Sequence, residues 1–310
     1  TKRGPALGGC RFFDYHGEDD QKKDVLKLSK AMTYKNSLAD LDFGGGKATI
    51  NSRVSKNKMY ELYGKMLDHL DGSYITAGDI GIVDQDLVEL KKYTSYVCST
   101  KGTDSGQSTA YGVFNAILGY NEFKYDSSSI ENKKIVLKGF GKVGSRLAHF
   151  CKEVGAIVEV VDFESNRSLI ENAGFKFLSK YQNTSFDSID IFSPCATGGD
   201  LNTEFIEFAN SVNIDCVIGA ANNQLENNTI EKNLFDMGIT FCPDYCVNAG
   251  GVIILALRSS IKEDMEYLDT EAKNKLIGIK NQLIKILTLS KEKNQLTTVS
   301  SNELAEAGFQ

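Results

Sequence analysis

The sequence predicts an α/β protein: an N-terminal α+β domain, then a doubly wound domain around a parallel sheet, with C-terminal helices packing back on the first domain. Three observations lead there. From Lys134 onward, short β-branched runs alternate with helical patterns, the arrangement that gives a parallel sheet covered on both faces. A glycine-rich turn joins the first of those runs to a helix. The chain's 310 residues, 41% of them hydrophobic, are enough for two cores, because single cores stop growing near roughly 250–300 residues.

The chain opens Thr1-Lys2-Arg3-Gly4-Pro5 with no initiator methionine and reads as lacking an upstream piece. Val25, Leu28, Ala31 and Met32 recur at helical spacing within 20–36, and Met59, Leu62, Tyr63, Met66, Leu67 and Leu70 repeat the pattern. Between them, 41–47 is a glycine-rich bend leading to a short strand, and 73–76 is another strand. A third helix covers 109 to about 120, and Asp126-Ser127-Ser128-Ser129 reads as a linker. The strands of the second domain are expected at 135–137, 156–161, 189–192, 216–218 and 239–241, and further helices at 252–261 and 263–293. The domains are accordingly drawn as 1–128 and 129–258, with 259–310 as a helical segment.

Composition narrows the function. The formal charge is -6, from 35 basic and 41 acidic side chains without a sustained run of one sign, so the basic footprint of a nucleic-acid binder is missing and a small-molecule partner fits better. The seven cysteines are scattered, odd in number and never spaced C-x-x-C, as expected of reduced cytoplasmic thiols and not of a metal site. No apolar run approaches the roughly 20 residues of a membrane helix, and the N-terminus lacks the apolar core of a signal peptide.

Gly139-Phe140-Gly141-Lys142-Val143-Gly144 has G-x-G-x-x-G spacing after the strand Ile135-Val136-Leu137 and opens a helix carrying Leu147, Ala148 and Phe150. In a Rossmann-type unit the glycines permit a tight turn, close approach to a pyrophosphate and close helix–strand packing, while the helix N-terminus offers unpaired N–H groups. Asp162 ends the next strand, 23 positions after Gly139, where a carboxylate meets the adenosine ribose hydroxyls. That favours NAD. Arg167, close by in sequence, keeps NADP open.

Lys35 lies at a helix end, where a lysine is ordinarily a solvated charge complementing the dipole. Lys47 follows three glycines, which leave room beside its ammonium for a substrate. Asp79 lies just past a strand, where loops carry chemistry but where an aspartate can equally cap a turn. Were two lysines to face one another in a cleft, each would lower the other's pKa and a neighbouring carboxylate would oppose the shift, so that Lys47 and Asp79 would titrate as a coupled pair.

Six motifs occur in an order that resembles the leucine and phenylalanine dehydrogenases of the Glu/Leu/Phe/Val amino-acid dehydrogenase family. They are Gly4-Pro5-Ala6-Leu7-Gly8-Gly9, Met32-Thr33-Tyr34-Lys35-Asn36, Gly44-Gly45-Gly46-Lys47-Ala48, Thr109-Ala110-Tyr111-Gly112-Val113, Ala221-Asn222-Asn223-Gln224-Leu225 and Asn248-Ala249-Gly250-Gly251-Val252. The resemblance spans about 4–260 and implies reversible oxidative deamination: an L-amino acid, NAD and water give a 2-oxo acid, NADH and ammonia, with hydride passing between the domains. It implies that Lys35 holds the substrate carboxylate, Lys47 contacts the amino group and activates water, Asp79 transfers protons, and Asn222 positions substrate and nicotinamide.

Cofactor contacts would come from the loop Gly139, Phe140, Gly141, Lys142, Val143 and Gly144, with Asp162, Thr109, Ala196 and Asn222. Leu7, Gly8, Val252 and Leu255 would line the substrate side-chain pocket, with Leu7 standing where glutamate dehydrogenases carry a lysine. An apolar wall makes glutamate a poor substrate and leucine, isoleucine and valine good ones, with phenylalanine as an alternative. Relatives are homo-oligomers, so self-association is expected.

The chain departs from the family at Gly78, where a glutamate often precedes the aspartate, in a shorter loop at 99–108, and ahead of Gly4. A nucleotide-binding relative without turnover, regulatory or structural, is the reading from a different class.

Overall fold

The computed structural model describes residues 2–98, 104–260 and 265–309, so part of the expected 99–108 loop and of the C-terminal helical stretch lies outside the described residues. The chain divides into two compact units. Unit 1 comprises Thr1–Asp104, Val252–Asn274 and Leu304–Gln310, and unit 2 comprises Ser105–Gly251 and Lys275–Glu303.

Unit 1 is organised on β1 (Ala6–Phe13), a strand absent from the sequence reading. Gly8 and Gly9 depress its strand propensity, and its middle is buried on both faces, so no polar alternation betrays it. It is followed by α1 (Glu18–Leu38), β2 (Gly44–Gly45), β3 (Ala48–Asn51), α2 (Lys56–His69), β4 (Tyr74–Gly78) and α3 (Asp84–Leu90). β2 and β3 pair β1 successively along one side and β4 pairs it along the other, all in parallel. Helix α1 opens on Glu18, Asp19 and Asp20 and has Lys35 in its last turn, charges that complement its dipole. Helix α2 is capped by Ser55 and turns Met59, Tyr60, Tyr63 and Leu67 into a core shared with Cys10, Tyr74, Leu87 and Leu90.

Unit 2 opens with α4 (Ser105–Tyr125), longer than its sequence pattern and grouped by its packing with the second domain, not the first. Alternation follows: β5 (Lys134–Lys138), α5 (Gly144–Glu153), β6 (Ile157–Val161), α6 (Arg167–Asn172), β7 (Lys176–Leu178), β8 (Ser188–Pro194), α7 (Thr203–Ser211), β9 (Asn213–Val217), α8 (Asn228–Asp236), β10 (Thr240–Phe241) and α9 (Asp244–Val247). The strands form a parallel sheet in the order β10-β9-β8-β5-β6-β7, reversing direction of growth at β5, as a doubly wound sheet does. Its core collects Val136, Val161, Phe192, Phe205, Phe208 and Leu234.

The remainder is helical: α10 (Gly250–Ser260), α11 (Met265–Lys293) and α12 (Thr297–Ala307). The C-terminal helices divide their packing. Residues 275–303 belong to unit 2, where Thr297 Oγ1 donates to Phe241 O at 2.5 Å. The chain end returns to unit 1, where Ser37 Oγ donates to Ala305 O at 2.7 Å and Tyr34 to Glu306 at 2.6 Å. Among the described residues no helix is long and apolar enough to cross a membrane.

Candidate active site

Cys10 on β1 is in register with Ala48 on one side and Gly78 on the other. Lys47, one residue before Ala48, and Asp79, one residue after Gly78, therefore flank the central strand, and their side chains meet across it. Lys47 Nζ lies 3.0 Å from Asp79 Oδ1, with the lysine side chain only 9% exposed, so its charge is compensated mainly by that carboxylate.

Asp79 Oδ2 accepts from Arg11 Nε at 2.9 Å. Arg11 in turn donates through NH1 to Asp24 Oδ2 at 3.1 Å, and Tyr15 donates its hydroxyl to the same oxygen at 2.5 Å. Burial works to raise the Asp79 carboxyl, but the charges and hydrogen bonds of Lys47 and Arg11 outweigh it and hold the group below the ordinary aspartate range. The neighbouring Cys10 thiol is pushed up to about 12, first by burial, and so stays protonated and inert.

Two of the glycines before Lys47, Gly45 and Gly46, serve packing. A Cβ on Gly45 would stand 1.9 Å from Thr33 N, so glycine here lets the backbone of α1 rest on β2. Lys35, half-buried in the last turn of α1, belongs to the same unit as Lys47 and Asp79. So do Leu7, Gly8, Val252 and Leu255: Leu7 is fully buried within β1, and Val252 and Leu255 are half-buried on α10.

In unit 2 the glycine loop has the form a pyrophosphate requires. Gly139 has φ +103°, and a Cβ there would come within 2.7 Å of Ala196 N; one on Gly144 would lie 1.9 Å from Gly139 O. A Cβ on Gly141 would meet nothing within 4 Å, so the loop backbone is open to an incoming group ahead of α5. Phe140 is buried against Phe175. Val143 is the residue preceding α5, and the stem of Lys142 covers Gly106 of α4.

Asp162 braces this loop: it accepts from Phe140 N and Phe163 N at 2.6 Å each and from Asn166 Nδ2 at 2.9 Å. Two carboxylate oxygens offer about four acceptor sites, so capacity for ribose hydroxyls remains. Arg167 is engaged by Glu164 at 2.5 Å and Glu171 at 3.3 Å and stacks over Phe177. Thr109 lies in the first turns of α4 beside Gly251, Ala196 is exposed next to Gly139, and exposed Asn222 accepts from Asn248 Nδ2 at 2.8 Å. The open backbone at Gly141 and the remaining acceptor capacity of Asp162 fit a dinucleotide. Among the described residues, no three His, Cys, Asp or Glu side chains gather as a metal site.

Sequence reasoning missed Arg11, Asp24 and Tyr15, and quoted Asn248 within a motif without giving it the role of holding Asn222. Arg11 had a signal, lying two residues after Gly9 in a strand and hence on the same face, but only once β1 is recognised as a strand.

Comparison with known proteins bears on both units. Residues 1–96 match the Glu/Leu/Phe/Val dehydrogenase dimerisation domain, and residues 161–309 match the Glutamate/Leucine/Phenylalanine/Valine dehydrogenase domain. A phenylalanine dehydrogenase of Caldalkalibacillus thermarum is 34% identical over all of this chain and 85% of its own length. A leucine dehydrogenase of Bacillus subtilis is 34% identical over 99% of this chain and 84% of its own. The crystal structure of L-tryptophan dehydrogenase from Nostoc punctiforme superposes with a TM-score of 0.87 at 32% identity, covering 100% of this chain and 89% of that one. The parallel sheets, the glycine loop and the matches along both units make this chain a member of the Glu/Leu/Phe/Val amino-acid dehydrogenase family.

Proposed function

We propose that the protein oxidatively deaminates an aliphatic L-amino acid with NAD, giving the 2-oxo acid, NADH, ammonium and a proton from amino acid, NAD and water. The observation that carries this reading is the Lys47–Asp79 pair at 3.0 Å, tied on its far side by Arg11. Lys35 holds the substrate carboxylate. Asp79, kept ionised by its two cationic neighbours, takes a proton from the substrate ammonium, which frees the nitrogen lone pair. A bound nicotinamide supplies the hydride acceptor. Lys47, once its ammonium has released a proton to solvent, takes one from the water that adds to the oxidised carbon; Asp79 returns its proton to the nitrogen, and the carbinol hydroxyl gives its proton to that nitrogen as the C–N bond breaks, leaving the 2-oxo acid and ammonium.

NAD is favoured over NADP because Asp162 sits at the ribose position while Arg167 is already satisfied by two glutamates. Asn222, steadied by Asn248, and Thr109 and Ala196 complete the cofactor contacts in this reading. Leu7, Gly8, Val252 and Leu255 offer no cation for a distal carboxylate, so glutamate is a poor substrate. A phenylalanine preference is the second reading, supported by equal identity to a phenylalanine and a leucine dehydrogenase and by the weak discrimination, about 1–3 kcal/mol per methylene, of apolar pockets. Self-association through the segment matching a dimerisation domain, and a reducing cytoplasmic setting for the seven free cysteines, belong to the same proposal.

The test is NADH formation at alkaline pH with leucine, isoleucine, valine, phenylalanine and glutamate, alongside Lys47→Ala and Asp79→Asn. Turnover of the branched-chain substrates, lost in both variants, is expected. Tight NAD binding without turnover on any amino acid would leave the non-catalytic binder; glutamate as best substrate would overturn the pocket argument alone.

A further inference from the structure

Asp79 has no help from its own element. Gly78 before it is exposed and has no side chain with which to hold it, and the chain turns away after it. A carboxylate held by Lys47 alone is free to rotate about its last bond, and either oxygen can then take the lysine. The structure shows otherwise: Oδ1 faces Lys47 and Oδ2 faces Arg11 Nε at 2.9 Å. Arg11 is itself held by Asp24 of α1, 3.1 Å from its NH1, and Asp24 is held by the hydroxyl of Tyr15 at 2.5 Å. A rigid strand, a long helix and the turn between them thus converge on one carboxylate oxygen.

We infer that Arg11 is the positioning residue of the proton-transferring carboxylate: it fixes the plane of Asp79 through Oδ2 so that Oδ1 alone serves Lys47 and the reacting proton, with Asp24 and Tyr15 as its anchor. The inference rests on the role proposed for Asp79 and adds a residue to it. The guanidinium suits the task because its planar fork addresses two carboxylates at once, Nε to Asp79 and NH1 to Asp24, which a lysine ammonium does only loosely.

The groups facing Asp79 are Lys47 from the link between β2 and β3, Arg11 and the neutral Cys10 from β1, and Tyr15 beyond β1, with Asp24 of α1 acting through Arg11. Removing Arg11 leaves burial, which disfavours the carboxylate, opposed by Lys47 alone. The acid limb of activity therefore moves to higher pH.

The experiment compares Arg11→Gln, Arg11→Lys and Asp24→Asn in the full-length chain. Arg11→Gln is expected to lower kcat about tenfold to hundredfold, the scale of a catalytic group misplaced by an ångström, with KM for the amino acid changed far less. The acid limb of kcat shifts upward in pH, Arg11→Lys recovers part of both effects, and Asp24→Asn, which keeps the guanidinium charge beside Asp79, gives a smaller loss of kcat without the upward shift. NAD affinity, read by fluorescence titration, stays unchanged in all three. If Arg11→Gln fails to fold, Asp24→Asn carries the comparison of kcat, since it frees Arg11 without removing it.

Unchanged kcat and pH profile in the folded variants, with Asp79→Asn inactive, would overturn the positioning role while sparing the proposed chemistry. An active Asp79→Asn enzyme would overturn both.

Discussion

The two units prepare for their parts in opposite ways. Unit 1 concentrates charge: Lys47, Asp79, Arg11 and Asp24 form an alternating row beside a central strand, closed by the Tyr15 hydroxyl. Unit 2 works by removing bulk, since Gly139 and Gly144 sit where a Cβ would strike backbone, and its carboxylate Asp162 braces the loop with part of its acceptor capacity. An array of buried charges fails when a partner is lost, whereas a bare loop fails when volume is added. Substitutions in the two units should therefore separate chemistry from cofactor binding.

The largest separation is expected from Lys47→Ala, which removes the proposed base and leaves Asp79 to Arg11. Turnover should fall on the order of a thousandfold at saturating substrates while NAD affinity holds. A parallel loss of NAD affinity in titrations would break the division of labour. Next comes Gly139→Ala, where a side chain meets both a positive φ and Ala196 N at 2.7 Å. It should weaken NAD binding by roughly 100-fold, about 2.7 kcal/mol, while turnover at saturating NAD changes little. Unaltered NAD binding would show that the loop does not need its closeness to Ala196.

A smaller effect tests what the units share. Both bury an ionised carboxylate: Asp79 in unit 1, and in unit 2 Glu159, where burial is outweighed by Lys176, Ser185 and Thr184. Each folded-state pKa lies below its unfolded value, so the stabilisation is complete above the unfolded carboxyl range and is lost as pH falls through the folded value. Asp79→Asn and Glu159→Gln should each flatten the acid side of a denaturation-midpoint-against-pH curve. Only Asp79→Asn should also abolish turnover, and a dead Glu159→Gln enzyme with native stability would contradict the contrast.

The smallest change belongs to Arg167→Ala. The arginine is exposed and already paired with Glu164 and Glu171, so KM for NAD and the poor use of NADP should each move less than about twofold. A substantial NADP activity that disappears in this variant would mean that the guanidinium is available to a 2′-phosphate.

The sequence showed unit 2 more clearly than unit 1, for physical reasons. All five expected strands of the doubly wound sheet appear, with bounds displaced by up to three residues, because apolar runs bounded by turns are a strong local signal; the short β7 was missed. Unit 1 depends on β1, whose glycines and two-sided burial leave no period to read. Lys47 and Asp79 were legible from motif order, and their pairing was expected. Arg11 was not, because its meaning lies in a register between strands distant in sequence. The three glycines were noticed, but the packing reason at Gly45 was not, since nothing local reveals that Thr33 of α1 lies against it.

That contact has a consequence for how the family can diversify. With Gly45 meeting the α1 backbone directly, and Asn36 Nδ2 of α1 donating to Leu7 O and Gly44 O, the helix carrying Lys35 is held close against the strand line carrying Lys47. A larger residue at position 45 would widen that spacing. Leu7, Val252 and Leu255 can then be exchanged for larger or smaller residues, trading one substrate for another, without moving the lysines that every such substrate would meet.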